Sequence, residues 1–258
     1  MFVDVPGGKL FALRCGPERG SAILAIGGWI GSSELWLETL GYLSDEYVTL
    51  AYDHRGSGVS RFDPQSITFE ALVSDALAVL DAFGVDRCVL AAESSGAQAA
   101  LAVAARFPNR VSHLVIVDGL YSRRTTEEND PFLQGLRAAY PATIERFIQL
   151  CFPEPDVEHI KDWGRKILAR AEPSAAIALR RVSFEADVTS ELGRVTQPVL
   201  VLHGSIDQIV PLETGKALAA VLPDAEFEVF EGCGHVPTLT QPKRLADAIR
   251  AFLRQREA

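Results

Sequence analysis

The stretch Cys88-Val89-Leu90-Ala91-Ala92-Glu93-Ser94-Ser95-Gly96 runs straight into Ala97-Gln98-Ala99-Ala100-Leu101-Ala102-Val103-Ala104-Ala105-Arg106-Phe107. A short, continuous apolar run closed by turn residues marks a strand buried on both faces. The alanine-rich segment from Ser95 to Phe107 predicts a buried helix. Between them, small residues stand two before and two after a serine, at Ala92 and Gly96. A sharp strand-to-helix turn would expose Ser94 Oγ above the sheet, and larger flanking side chains would collide there. The helix N-terminus would aim free backbone N–H groups at a reacting carbonyl oxygen. A serine N-cap is an ordinary use of the residue; at the end of a mid-chain buried strand, Ser94 is a candidate nucleophile.

The same strand signature recurs at Ala22 to Ile26, Tyr47 to Ala51, Leu114 to Val117 and Val199 to Leu202, with a half-buried strand at Glu226 to Phe230. Phe2 to Val5 and Leu10 to Arg14 flank a glycine-containing turn and predict an opening hairpin. Helices are predicted over Glu34 to Leu43, Phe69 to Phe83, Pro211 to Val221 and Pro242 to Arg254. Alternating strands and helices imply an α/β fold, a mostly parallel sheet with helices on both faces. Leu120 to Thr196 breaks the alternation: it holds Arg123-Arg124, several prolines and helical runs at Ala142 to Cys151 and Ala175 to Phe184. It reads as a helical cap, 120–196, inserted into a core formed by 1–119 and 197–258.

The chain has 258 residues, 48% of them hydrophobic and 23% charged, the balance of a globular domain that needs no disulfide or metal staple. A net charge of −9 repels phosphates, which argues against nucleic acid and anionic membrane as partners. No apolar run is long enough to span a bilayer, and no signal peptide is visible. Cys15, Cys88, Cys151 and Cys233 are scattered, without metal-ligand spacing, and read as idle thiols of a cytoplasmic protein. No metal site is expected, and Cys233 lacks the strand–turn–helix setting of a nucleophile.

A serine nucleophile needs a base and an orienting acid. His235 follows Gly232-Cys233-Gly234, after the last predicted strand and before the last helix. Asp207 lies just past the strand Val199 to Leu202, and Asp118, after the preceding sheet strand, is a rival acid. The order Ser94, Asp207, His235 differs from that of chymotrypsin and subtilisin. His203 and His54 read as hydrogen-bonded structural residues, and His113 and His159 as surface residues.

With these residues in place, the whole chain resembles the α/β-hydrolase superfamily, in its serine-nucleophile branch. Ile26-Gly27-Gly28-Trp29 is similar to its oxyanion loop, and Asp53-His54-Arg55-Gly56-Ser57-Gly58-Val59-Ser60 to its D-x-R-G-x-G-x-S loop. Phe107-Pro108-Asn109-Arg110-Val111 and His203-Gly204-x-x-Asp207 with Val210-Pro211 match two further stretches. Ile26 stands where histidine is usual and Ala92 where glycine is usual. The resemblance implies an α/β-hydrolase fold, an oxyanion hole from the Trp29 and Ser95 N–H groups, and a structural role for Asp53 to Ser60. Trp163, Phe132, Phe147 and Phe184 fall in the cap, where rings pack helices or line an acyl pocket; Gly28 and Val236 complete the candidate substrate contacts. Glu93 either biases the site or faces solvent, and solvent is the expected choice.

What the resemblance implies for activity is hydrolysis of small or medium carboxylic esters through a Ser-His-Asp triad and an acyl-enzyme, without a cofactor, by a monomer or homodimer. Enol-lactonase, carbon–carbon bond hydrolase and cofactor-free perhydrolase use the same set, and Trp29 has a parallel in perhydrolase-like members. A small-molecule receptor or stress-signalling member of the superfamily would keep the set and turn over very slowly.

Overall fold

The computed structural model describes residues 1–122 and 126–257, so Arg123 and Arg124 of the insertion lie outside the described residues. Eight strands are described: β1 (Phe2–Val5), β2 (Gly8–Cys15), β3 (Ala22–Ile26), β4 (Val48–Tyr52), β5 (Cys88–Glu93), β6 (Val111–Val117), β7 (Val199–Gly204) and β8 (Ala225–Phe230). The described α-helices are α1 (Leu37–Leu43), α2 (Phe69–Ala82), α3 (Gly96–Arg106), α4 (Pro131–Ala138), α5 (Tyr140–Cys151), α6 (Glu158–Leu168), α7 (Pro173–Glu185), α8 (Leu212–Val221), α9 (Pro237–Thr240) and α10 (Pro242–Glu257). The predicted helix from Glu34 is in fact a 3-10 turn, Ser33–Leu35, followed by α1. There Asp53 fixes the turn by accepting the Ser33 amide and hydroxyl, each at 2.8 Å.

The strands form one sheet in the order β1-β2-β4-β3-β5-β6-β7-β8. β1 and β2 are antiparallel to each other, β2 is antiparallel to β4, and every other pair is parallel. Every residue of β3, β4, β5 and β7 is buried. Successive strand residues point to opposite faces, so helices must cover both sides of this sheet. Helices α2 and α3 pack on one another, as do α1 and α10, and α8 packs on β7 and β8. No described helix is long and apolar enough to cross a membrane.

Chain direction around β3 places the site. The chain passes from β3 outward to β4, then returns to lay β5 on the other side of β3. Loops leaving the carboxyl ends of β3 and β5 therefore diverge and open a crevice, the usual ligand position in open α/β sheets. Helices α4 to α7 lie in the chain between β6 and β7, in the segment expected to interrupt the sheet.

The Asp53 to Ser60 loop is a brace. Arg55, buried, donates to both carboxylate oxygens of Asp75 on α2 at 2.6 and 2.7 Å and to the Pro6 carbonyl at 2.9 Å. His54 Nε2 lies 2.9 Å from the Gly28 carbonyl, tying the brace to the loop after β3. Both ends of the Arg55–Asp75 pair are buried, with side-chain exposures of 3% and 1%. Asp75→Ala leaves an uncompensated buried guanidinium, so the expected loss in a denaturant titration is about 3–5 kcal/mol. A loss under about 1 kcal/mol, the value of an exposed pair, would contradict this role.

Candidate active site

The site is built on the backbone of Ser94. It adopts φ +50, a left-handed conformation uncommon for a side chain with a Cβ. Its amide donates to the Val117 carbonyl at 2.9 Å, and its carbonyl accepts the Leu120 amide at 3.0 Å. These bonds to the end of β6 hold the turn between β5 and α3. The need for a small residue at position 96 is explicit: a Cβ there would lie 2.6 Å from the Gly27 carbonyl oxygen. A Cβ on Gly28 would lie 3.0 Å from Ser94 Cβ, so the loop after β3 approaches the turn as closely as glycine allows.

Ser94 Oγ lies 2.9 Å from His235 Nε2, and His235 Nδ1 lies 2.8 Å from Asp207 Oδ2. A carboxylate only accepts, so Nδ1 carries the proton and donates to Asp207, which leaves Nε2 to accept from the serine hydroxyl. The loop bearing His235 is pinned from the insertion: its amide donates to the Cys151 carbonyl at 3.0 Å, and the Gly234 amide donates to Glu154 at 2.7 Å. Cys233 is buried, and burial pushes its thiol up to about 12.

Three buried carboxyl groups that act on one another, Asp207, Asp118 and Glu93, meet different fates here. Burial raises Asp207, but His235, His203 and the Ile209 amide outweigh it and hold the group well below the usual carboxylate range. Its Oδ1 accepts the Ile209 and Val210 amides at 2.7 and 3.0 Å. Asp118 goes the other way: burial first, and then the Asp207 charge, push it well above its ordinary value, against the Gly204 amide. Its Oδ1 accepts that amide at 2.8 Å, while Oδ2 has no hydrogen-bond partner among the described residues. Asp118, His203 and Asp207 bring three ligand-type atoms within 4.8 Å of one another. The two acids meet His203 Nε2 at 3.6 and 3.5 Å, and that nitrogen donates to the Val210 carbonyl at 2.9 Å.

Glu93 corrects the sequence reading. It was expected to face solvent, but it is the last residue of β5 and only 4% exposed. It accepts the Thr238 hydroxyl at 2.8 Å and the Gly28 amide at 3.4 Å, bridging the loop after β3 to the segment after His235. Burial raises its pKa, and Thr238, His235 and Gly28 offset part of that rise. His235 itself is lowered by burial, but the Asp207 charge and hydrogen bond, with Glu93, leave it raised overall.

Ser94, Ser95 and Trp29 line a cavity of about 550 Å³ together with Phe132 and Phe147. Among the described residues, the Trp29 and Ser95 amides have no hydrogen-bond acceptor. Trp29 stacks edge-on against Phe132 and Phe147, and its indole N–H donates to the Ala176 carbonyl of α7 at 2.8 Å. Gly28 and Val236 line a second pocket of about 40 Å³ beside Ser94 and His235. Trp163 does not join them: it is 42% exposed on α6 and lines neither pocket, so its expected substrate contact is withdrawn. The inward-facing neighbour is Gly164. Phe184 packs under the Arg180 guanidinium instead of lining the cavity. His54 and His203 are hydrogen-bonded as expected and His159 is exposed, whereas His113 is half-buried edge-on to Phe252.

Sequence reading missed Arg146, Arg180, Glu154 and Thr238. Ala142, Thr143, Arg146, Phe147 and Leu150 share one face of α5, and that helical spacing was the available signal for Arg146.

A family model described as the alpha/beta hydrolase family matches residues 23–248. The chain is 27% identical to a Caulobacter vibrioides protein named "Putative carbamate hydrolase RutD", over 98% of each chain. It is 27% identical to a pimeloyl-[acyl-carrier protein] methyl ester esterase of Nitrosomonas europaea, over 91% of this chain and 96% of that one. Among solved structures it is similar to a thermophilic esterase from Thermogutta terrifontis: TM-score 0.89, 26% identity, 99% of this chain and 98% of that one.

Asp118 yields a test of the charge assignment. An acid whose folded pKa is raised retains a proton that the unfolded chain releases, so its contribution to stability falls as pH rises above the unfolded value, through the folded one. Asp118→Asn keeps an acceptor for the Gly204 amide and removes the titrating proton. The variant's melting temperature should therefore fall less than the parent's between about pH 5 and about pH 8. A steeper fall would mean that Asp118 is charged when folded.

Proposed function

The chain belongs to the alpha/beta hydrolase family, and we propose that it is a serine hydrolase that cleaves carboxylic esters of small or medium size. The observation that carries this reading is the unbroken chain from Ser94 through His235 to Asp207, at 2.9 and 2.8 Å, opening onto an apolar cavity. Two relatives named as esterases support the bond type.

In this reading His235 takes the Ser94 proton as Oγ attacks the ester carbonyl. The oxygen that becomes negative is received by the Trp29 and Ser95 amides, which are fixed by the turn and need no reorganisation. Asp207, held anionic, fixes the His235 tautomer and stabilises the imidazolium. His235 then gives the proton to the leaving alcohol, and an acyl-enzyme remains on Ser94. A water deprotonated by His235 attacks it, the acid leaves, and Ser94 regains its proton. No step needs a cofactor. Helices α4 to α7 act as a cap whose α4 and α5 rings wall the cavity.

Steady-state hydrolysis of p-nitrophenyl esters of increasing chain length tests this. Ser94→Ala should lower turnover by about 10³-fold or more, leaving only what binding and the oxyanion donors supply. Equal turnover in a folded Ser94→Ala protein would overturn the reading.

The pH profile carries a second expectation. Only neutral imidazole can accept the serine proton, and His235 is raised above its ordinary 6.5. The rate constant kcat/KM should therefore rise with pH through an apparent pKa above that value. Asp207→Asn removes the charge that raises it, so the rising limb should move to lower pH while the rate drops by about 10⁴-fold. A rising limb that stays in place would remove Asp207 from the assignment.

A further inference from the structure

The large cavity has an electrostatic character opposite to that of the chain around it. The protein holds 34 acidic against 25 basic residues, yet the described residues lining this cavity include two arginines, Arg146 and Arg180, and no Asp or Glu. Arg180 is already neutralised: it donates to Asp130 at 2.8 Å and stacks over Phe132. Arg146 has no ion pair or hydrogen bond among the described residues.

Its immediate neighbour cannot supply one. The Glu145 carboxylate is engaged by Arg165 at 2.8 and 2.9 Å, and Gln149 donates to it at 2.8 Å. Arg146 instead shares the cavity face of α5 with Thr143, Phe147 and Leu150, and it is exposed, so it stands where the cavity meets solvent. A guanidinium unpaired among the described residues, at the rim of a cavity that Ser94 also lines, is complementary to an ester whose far end is anionic.

We propose that the cavity selects esters bearing a carboxylate several bonds from the scissile carbonyl, and that Arg146 is the specificity-determining residue that receives it. The proposal rests on Ser94 being the nucleophile. The apolar rings hold the intervening chain, and the planar guanidinium pairs with the carboxylate through two parallel N–H donors.

Two substrate arms place the charge on either side of the ester. One arm uses p-nitrophenyl half-esters of glutaric and adipic acid against neutral p-nitrophenyl esters of equal length. The other uses butyrate esters of ω-hydroxycarboxylic acids against butyrate esters of neutral alcohols. In at least one arm the anionic ester should show a kcat/KM advantage of about tenfold to a hundredfold, the range of one hydrogen bond to a charged partner. Arg146→Gln should remove that advantage by lowering kcat/KM for the anionic ester far more than for the neutral one; Arg146→Lys should restore part of it. Added salt should shrink the advantage in the parent protein.

No anion preference in either arm, or a preference that survives Arg146→Gln, would overturn the assignment. Neutral-ester turnover separates the two readings: if the parent protein does not hydrolyse neutral esters, the nucleophile reading fails on its own evidence. Binding then still decides Arg146: adipate should raise the melting temperature of the parent and of Ser94→Ala, but not of Arg146→Gln. A rise of equal size in all three would also overturn the assignment.

Discussion

Everything in the site hangs on holding Ser94 in a left-handed backbone conformation. Such a conformation in a residue with a Cβ costs of the order of 1–3 kcal/mol and persists only where its surroundings over-determine it. Here they do. The Ser94 amide and carbonyl are both engaged by the segment at the end of β6, and Gly96 packs against the Gly27 carbonyl. β5 is hydrogen-bonded on both edges, to β3 and β6, so the turn cannot relax by shifting its strand. Asp118, one strand over, has the same handedness at φ +48 and faces the end of β7. Two strained positions thus stand at adjacent strand ends: Ser94 lines the cavity, and Asp118 turns toward the end of β7.

The second constraint is electrostatic. Glu93, Asp118 and Asp207 lie close enough to act on one another or on His235, and burial pushes all three upward. Donors are not shared equally among them. Asp207 collects two backbone amides and the His235 ring, whereas Asp118 has one amide and Glu93 one hydroxyl and a long amide contact. The Asp207 carboxyl is therefore held below its ordinary value beside His235, while Asp118 and Glu93 are pushed above theirs. Glu93 in particular links the loop after β3 to α9, which follows His235, through the Gly28 amide and the Thr238 hydroxyl. The insertion closes the arrangement from above: Trp29 is bound to α7 and stacked on rings of α4 and α5, and the Cys151 carbonyl ending α5 holds the His235 amide.

Much of this was legible because the strands are buried on both faces. Ala22 to Ile26, Cys88 to Ala92 and Val199 to Leu202 are continuous apolar runs, and the groups nominated for chemistry sit at loops that follow such runs. Ser94, Asp207 and His235 were found that way, and the structure brings them into hydrogen-bonding contact. What could not be read were contacts between residues far apart in the chain. Glu93 meets a hydroxyl 145 residues away, so its burial leaves no local trace. Trp163 points away because each residue of α6 turns about 100° from the last, and the next one, Gly164, faces the pocket. The Arg146 face was present in the spacing of α5, but only the cavity gives that spacing a meaning.

The most direct test of the central claim is covalent labelling with a fluorophosphonate, followed by peptide mapping. This probe reads the activated hydroxyl without requiring knowledge of the substrate. The account predicts one adduct per chain, on Ser94, formed slowly or not at all in His235→Ala. An adduct on Ser95 or Cys233, or labelling of Ser94 at the same rate without His235, would contradict it.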